Sequence, residues 1–134
     1  MTETMDKAET ESWAFTDGSG GRPVTPHAAV DLLRRRIASG VLESWLAASD
    51  GRLLAVVSNT ERAMVRLLDG EGDPGGHATD PGAGTESDGF VLANGQSDTY
   101  PDEDTVPLGE ALRIVRHVIA TGGPPTDATW TIDR

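Results

Sequence analysis

The chain has 134 residues and a net charge of -11, with 22 acidic and 11 basic residues and no cysteine. This length predicts a single domain, and the lack of cysteine excludes disulfides, thiolate zinc sites and a cysteine nucleophile. The acidic balance argues against direct binding to nucleic acid or to an anionic membrane, because both carry the same sign of charge.

Residues 1–11 are polar and acidic, which predicts a disordered tail followed by a single domain over residues 12–134. The tail has no apolar segment of the kind found in signal peptides. No apolar run approaches the roughly 18–20 residues that span a bilayer. Together with the absence of cysteine, these features lead us to expect a cytoplasmic protein with no membrane partner.

The first elements are predicted from alternation and capping. Residues 12–16 alternate around two aromatic side chains and predict a short strand, and residues 17–21 predict a turn. Thr25 as N-cap, Pro26 at the first helical position and Gly40 as the stop predict a helix between them.

A three-stranded meander follows. Residues 41–49 and 52–58 flank Asp50-Gly51, a strong hairpin signal, and residues 62–68 form the third strand. The middle strand is apolar at successive positions, which predicts burial on both faces. We expect Trp45 to pack in the core.

Residues 69–88 are rich in glycine and acids and nearly without apolar side chains, which predicts a long flexible loop without secondary structure. Residues 90–93 and 96–100 then flank Asn94-Gly95 and predict another hairpin. Pro101 ends this hairpin, and an acidic loop follows at residues 102–104.

The clearest periodicity lies between Pro107 and Thr121, where apolar residues recur at helical spacing before Gly122 and Gly123. Residues 126–132 close the chain as a strand. Runs of strands interrupted by two helices predict an α+β fold. We expect a mainly antiparallel sheet of about five to six strands with the two helices packed on one face.

The residues give little support to catalysis. No two of the three histidines have metal-ligand spacing, and no nucleophile elbow or phosphate-binding loop is present. Asp102, Glu103 and Asp104 are adjacent acids that point in different directions and lack the spacing of a calcium loop. We therefore expect no enzyme, no cofactor and no metal. A small acidic enzyme that uses these three carboxylates stays a lesser alternative.

The charge distribution points to a protein partner instead. Between Arg66 and Arg113 the sequence has no Lys or Arg but eleven of its 22 acids. Such a run increases self-repulsion and does little for folding, so a basic partner explains it better than stability does.

The second half of the chain resembles the first of the numbered immunity-protein families of bacterial polymorphic toxin systems. The resemblance covers residues 41–131, apart from a long insert at residues 70–87 and Gly123, where the family favours a charged residue. Its matching pieces are Phe90–Gln96, Asp98, Tyr100-Pro101, Thr105–Pro107, Glu110–Leu112, Thr121-Gly122, Pro124-Pro125 and Trp130, with Gly51–Asn59 and Arg62–Met64 upstream.

This resemblance implies a cytosolic antidote that binds one cognate toxin, commonly a nucleic-acid deaminase, as a 1:1 heterodimer. The zinc and the catalytic Glu would belong to the toxin, because this chain lacks the H-x-E and P-C-x-x-C elements of a deaminase. We expect the hairpin and its exit to form the contact surface. The predicted partner-binding residues are Asn94, Gln96, Asp98, Tyr100, Asp102, Glu103 and Asp104.

Two alternatives stay open at this point. The same hairpin residues can serve the fold alone, with Asn94-Gly95 needed for the turn and Tyr100-Pro101 for the end of the strand. The chain can also be an acidic nucleic-acid mimic that regulates a host DNA-binding protein, which predicts binding to several basic proteins with a steep salt dependence.

Overall fold

A computed structural model describes residues 11–17 and 21–133. The described part contains ten strands, two α-helices and one 3₁₀ turn. The strands are β1 (Trp13–Phe15), β2 (Pro23–Val24), β3 (Glu43–Ala48), β4 (Leu53–Ser58), β5 (Arg62–Leu68), β6 (Gly76–Ala78), β7 (Glu86–Val91), β8 (Ser97–Pro101), β9 (Val106–Pro107) and β10 (Trp130–Ile132). The helices are α1 (Pro26–Ala38) and α2 (Leu108–Thr121), and the 3₁₀ turn is Asp102–Asp104.

The predicted α+β class is confirmed. Eight strands form one antiparallel sheet in the order β10-β6-β5-β4-β3-β1-β2, with β9 also paired to β5, and β7 and β8 form a separate two-stranded sheet. Both helices pack together on one face of the large sheet, as predicted. The sheet has more strands than the five to six expected, because β2, β6 and β9 are too short to show an alternating pattern.

Both helices begin and end close to the predicted positions. The side chain of Thr25 accepts a hydrogen bond from the backbone N–H of Ala28, and Pro26 occupies the first turn of α1. Helix α2 ends at Thr121 and is capped by Gly122, whose φ of +92° is the left-handed conformation that glycine adopts without strain. Its apolar stripe packs on the sheet, where Leu112, Val115 and others are buried.

The large sheet is buried on both faces at its centre. In β4, Leu54 and Val56 point into the core beneath the helices, whereas Ala55 and Val57 are also buried but point the other way. The β7–β8 hairpin contacts β4 and places its fully buried Phe90 on this second face. The domain therefore has three layers, with the helices on one side of the sheet and the hairpin on the other.

The prediction that residues 69–88 lack secondary structure is wrong. Strand β6 lies inside this segment, and β7 begins at Glu86. Residues of β6 pair with both β5 and β10, so tertiary pairing creates a strand where local composition predicts none. Gly76 is required there, because a Cβ atom at this position would overlap the indole nitrogen of Trp130 and crowd the backbone carbonyl of Thr131.

The predicted core position of Trp45 is also wrong. Trp45 alternates with the buried Leu46, so its side chain lies half-buried on the face away from the helices. Its indole N–H donates to Glu43 at 2.7 Å. Trp13 of β1 fills the core instead and is only 1% exposed.

The predicted N-terminal tail lies mostly outside the described residues. Residues 1–10 of that tail and residues 18–20 of the predicted turn have no described structure. Glu11, the last residue of the tail, accepts a hydrogen bond from the hydroxyl of Ser49.

Candidate protein-binding surface

The tip of the hairpin is built by its own backbone. Leu92 N–H donates to the carbonyl of Gln96 at 2.8 Å, which closes a three-residue loop in which Gly95 has a φ of +89°. The side-chain oxygen of Asn94 accepts a hydrogen bond from Gln96 N–H at 2.9 Å. Asn94, a predicted partner-binding residue, is exposed but has this structural role in the turn.

Three of the predicted site residues form one chain of hydrogen bonds that begins just before β8 and continues along it. The amide of Gln96 donates to one oxygen of Asp98 at 2.7 Å, and the hydroxyl of Tyr100 donates to the other at 2.9 Å. The Tyr100 ring contacts the Phe90 ring with centroids 4.8 Å apart. Tyr100 is therefore a half-buried packing residue of the hairpin as well as a candidate contact residue.

Burial of Tyr100, followed by its hydrogen bond to Asp98, raises the pKa of its hydroxyl to about 12. The nearby carboxylates of Asp98 and Glu43 act in the same direction, because both disfavour a phenolate. Tyr100 therefore stays a hydrogen-bond donor across the physiological pH range.

Asp102 lies inside the domain. Its carboxylate accepts hydrogen bonds from the hydroxyls of Ser87 and Thr85, and the residue is only 8% exposed. The hydrogen bond from Ser87, then that from Thr85, holds the pKa of Asp102 below its ordinary value; burial opposes the shift and Arg62 favours it. The predicted role of Asp102 at the surface is corrected, because its carboxylate is enclosed and already hydrogen-bonded.

Arg62 organises this polar cluster, a role that no local sequence pattern indicates. Its guanidinium donates to the Asp80 carboxylate at 2.7 Å and to the Thr105 hydroxyl at 2.8 Å. It also donates to the backbone carbonyls of Asp102 and Thr105, each at 3.1 Å. One cation thereby joins β5, the segment before β7 and the turn after β8.

Glu103 and Asp104 lie beside a second cluster, centred on His77. The His77 ring is 3.0 Å from Asp104 through Nε2 and 2.7 Å from Asp133 through Nδ1. Glu103 is exposed and Asp104 is partly exposed. Both line a groove of about 330 Å³ near β10 and are separate from the Gln96–Asp98–Tyr100 chain.

A larger groove lies between the β7–β8 hairpin and the turn before β5, and we call it the acidic groove. Its volume is about 420 Å³, and its lining residues are Asn59, Glu61, Glu86, Ser87, Asp88 and Thr99. Glu61, Glu86 and Asp88 are exposed, and none of their carboxylates forms an ion pair with another described residue. Sequence reasoning missed this site, because Glu61 belongs to the turn before β5 and only folding brings it to β7.

Asn59 fixes the position of this groove. Its amide donates to the backbone carbonyl of Asp88 at 2.9 Å, while its side-chain oxygen accepts from the N–H groups of Glu61 and Arg62. The turn that carries Glu61 is thereby joined to the strand that carries Asp88. The hydrogen bonds of Asn59 therefore connect the two walls of the groove.

The described residues contain no cluster of three or more metal-ligating side chains. Among them, no helix combines the length and apolar character needed to cross a bilayer. A scan against protein-family models and searches of curated proteins and of solved structures find no match.

Proposed function

We propose that this chain is an immunity protein that binds and inhibits one cognate bacterial toxin, a nucleic-acid (cytidine) deaminase. The observation that carries the proposal is the acidic groove, with three exposed carboxylates that no described cation neutralises. The resemblance of residues 41–131 to an immunity family supplies the class of partner.

The physical argument starts from the uneven use of cations. Arg62 pairs with the partly exposed Asp80 and the buried Asp102, whereas Glu61, Glu86 and Asp88 face solvent without an ion-pair partner among the described residues. Three like charges around one groove repel each other, and a cation from a binding partner relieves that repulsion. The surface is therefore complementary to Arg or Lys side chains.

A deaminase that acts on nucleic acid fits this surface. Such an enzyme holds a polyanion, so its substrate cleft is lined by basic residues. An acidic protein layer placed over that cleft competes directly with the substrate. Charge also accelerates the encounter of the two proteins, and the association rate constant can reach about 10⁸ M⁻¹s⁻¹ or higher at low salt.

The contact surface in this proposal is centred on the acidic groove. Gln96 and Tyr100 lie on the same hairpin, and Glu103 with Asp104 extends the negative surface beyond it. Asn94 contributes through the shape of the tip. Asp102 supports the surface from inside the domain. We further propose a cytoplasmic location and a 1:1 complex, with zinc and catalytic residues supplied by the toxin.

The test is co-expression of this chain with the protein encoded immediately upstream of it. We expect rescue of the cells and a stoichiometric complex that survives purification in about 0.5 M salt, where exposed charge pairs are strongly screened. Absence of both rescue and complex would exclude that partner. Binding to several unrelated basic proteins, lost at this salt concentration, would favour the nucleic-acid mimic instead.

A further inference from the structure

Strand β8 has a free edge. Among the described strands it pairs with β7 alone, in a register that includes Phe90 opposite Asp98 and Val91 opposite Ser97. The hydrogen bond from Leu92 N–H to Gln96 fixes the alternation of the ladder, so Asp98 directs its backbone groups towards β7. Ser97 and Thr99 therefore direct their N–H and C=O groups outwards, where no described residue pairs with them.

The other strand edges in the described part of the chain are short or partly occupied. Strand β2 has two residues and includes Pro23, and β10 has three residues. The outer edge of β7 has a register shift between Ser87 and Phe90, and its Asp88 carbonyl accepts from Asn59. Proteins commonly protect edge strands by shortness, proline, bulges or lysine. In β8, Ser97–Tyr100 run in regular alternation without proline or lysine, and Pro101 ends the strand.

We propose that the outer edge of β8 binds an extended strand of the toxin by β-strand addition, a mode in which backbone hydrogen bonds provide affinity and side-chain pockets provide specificity. This inference rests on the proposed function and specifies how the same surface recognises its partner. The added strand pairs with the outward backbone groups of Ser97 and Thr99.

The acidic groove selects the side chains of that strand. Thr99 is exposed, lies on β8 and lines the groove together with Glu86 and Asp88. Side chains on adjacent strands are about 5 Å apart when directly opposite and about 7–8 Å apart on the diagonal, within reach of long residues. The carboxylates of Glu86 and Asp88 lie on β7, two strands or about 10 Å from the added strand. A long Arg or Lys side chain beside the small Thr99 side chain would therefore extend over it towards these two carboxylates.

Charge also distinguishes the toxin from a second copy of this chain as the occupant. Residues 86–104 contain Glu86, Asp88, Asp98 and three further acids but no Lys or Arg. Pairing two copies through β8 would bring two such hairpins together, each in a chain with a net charge of -11. A basic strand replaces this repulsion with attraction.

Thr99→Pro and Thr99→Ala form a matched test of the edge. Proline at residue 99 removes the outward N–H and leaves the bonds of Asp98 to β7 intact, because proline is tolerated where the N–H faces away from the ladder. Alanine removes the same side chain but keeps the N–H. We expect Thr99→Pro to weaken binding of the upstream-encoded protein by at least about tenfold, and Thr99→Ala by less than about threefold.

Amide hydrogen exchange in the wild-type complex gives a second readout that does not depend on a variant. We expect the amides of Ser97 and Thr99 to exchange at least about 100-fold more slowly on binding, because they gain hydrogen bonds. The amide of Asp98 is the internal control, since it already faces β7.

The two proposals fail in different ways. Suppose that the wild-type chain binds the upstream-encoded protein, that hydrogen exchange at Ser97 and Thr99 is unchanged, and that both Thr99 variants bind equally well. Strand addition is then overturned, and the immunity function stands. If the wild-type chain does not bind that protein, the immunity function and strand addition are both overturned.

Discussion

The two faces of the sheet are stabilised in different ways. The helix side is a continuous apolar core, in which Leu54, Leu112 and Val115 are almost fully buried. The hairpin side has a small apolar contact around Phe90 and a polar cluster around Arg62 and Asp102. The helix side therefore supplies most of the hydrophobic stabilisation, whereas the hairpin side holds acidic side chains in defined positions.

The largest expected loss of stability comes from the helix side. Leu112→Ala removes a side chain that is 2% exposed, and we expect it to lower the free energy of unfolding by about 2–5 kcal/mol. Val91→Ala is the control on the hairpin, since Val91 is 39% exposed; we expect a change within about 0.5 kcal/mol. Urea denaturation measures both, and equal losses would contradict this division of the structure.

On the hairpin side, Arg62→Met should lower the free energy of unfolding by about 2 kcal/mol, because it leaves the carbonyls of the buried residues Asp102 and Thr105 without this donor. Arg113→Met is the matched control on the helix side. Arg113 binds Glu110 and Asp127 at the surface, with its side chain 44% exposed, so we expect a loss of about 0.5 kcal/mol or less. A loss at Arg113 as large as that at Arg62 would show that the polar cluster adds no special stability.

The lowered pKa of Asp102 predicts a pH dependence with a definite sign. A carboxylate whose pKa is lower in the folded state stabilises the fold above its unfolded pKa, near 3.8, and loses that contribution as the pH falls through the folded value. The stability advantage of the wild-type chain over Asp102→Asn should therefore be full at pH 6 and shrink below about pH 4. Thermal melts across this range measure it, and an advantage that grows on acidification would contradict the assignment.

Tyr100 gives a smaller and more local effect. It is the only tyrosine in the chain, so its ultraviolet titration is free of overlap, and we expect a midpoint at about pH 12. Because the folded pKa is raised, the contribution of Tyr100 to stability is full below pH 10 and is lost as the pH rises through about 12. Asp98→Asn should lower the midpoint. Tyr100→Phe removes the hydroxyl that donates to Asp98 but keeps the ring contact with Phe90. It should therefore lower the free energy of unfolding by only about 1 kcal/mol.

The helix side of the fold could be predicted because its information is local. Thr25 and Pro26 mark the start of α1, and Gly122 marks the end of α2. Within α2, apolar residues at helical spacing identify the stripe that is buried. The meander could be predicted for the same reason, since Asp50-Gly51 marks its first turn. Trp45 shows the limit of this reasoning, because alternation alone does not say which face of a strand lies under the helices.

The hairpin side could be predicted only in part. The Asn94-Gly95 signal located the hairpin, but nothing local indicated that Asp102 turns inward to Ser87 and Thr85. Strand β6 is created by pairing with distant strands, and the acidic groove is created by the meeting of Glu61 with β7. These features depend on contacts between residues that are far apart in the chain, and local sequence patterns do not indicate such contacts.

The most direct test of the central claim compares two variants with the same net charge. Glu61→Gln, Glu86→Gln and Asp88→Asn together neutralise the acidic groove, while Asp31→Asn, Glu71→Gln and Asp127→Asn remove three charges elsewhere. Affinity for the upstream-encoded protein is measured by titration calorimetry. We predict that the groove variant binds about 100-fold more weakly and the control variant less than about threefold more weakly. Equal affinities for the two variants would contradict the claim that the acidic groove is the binding surface.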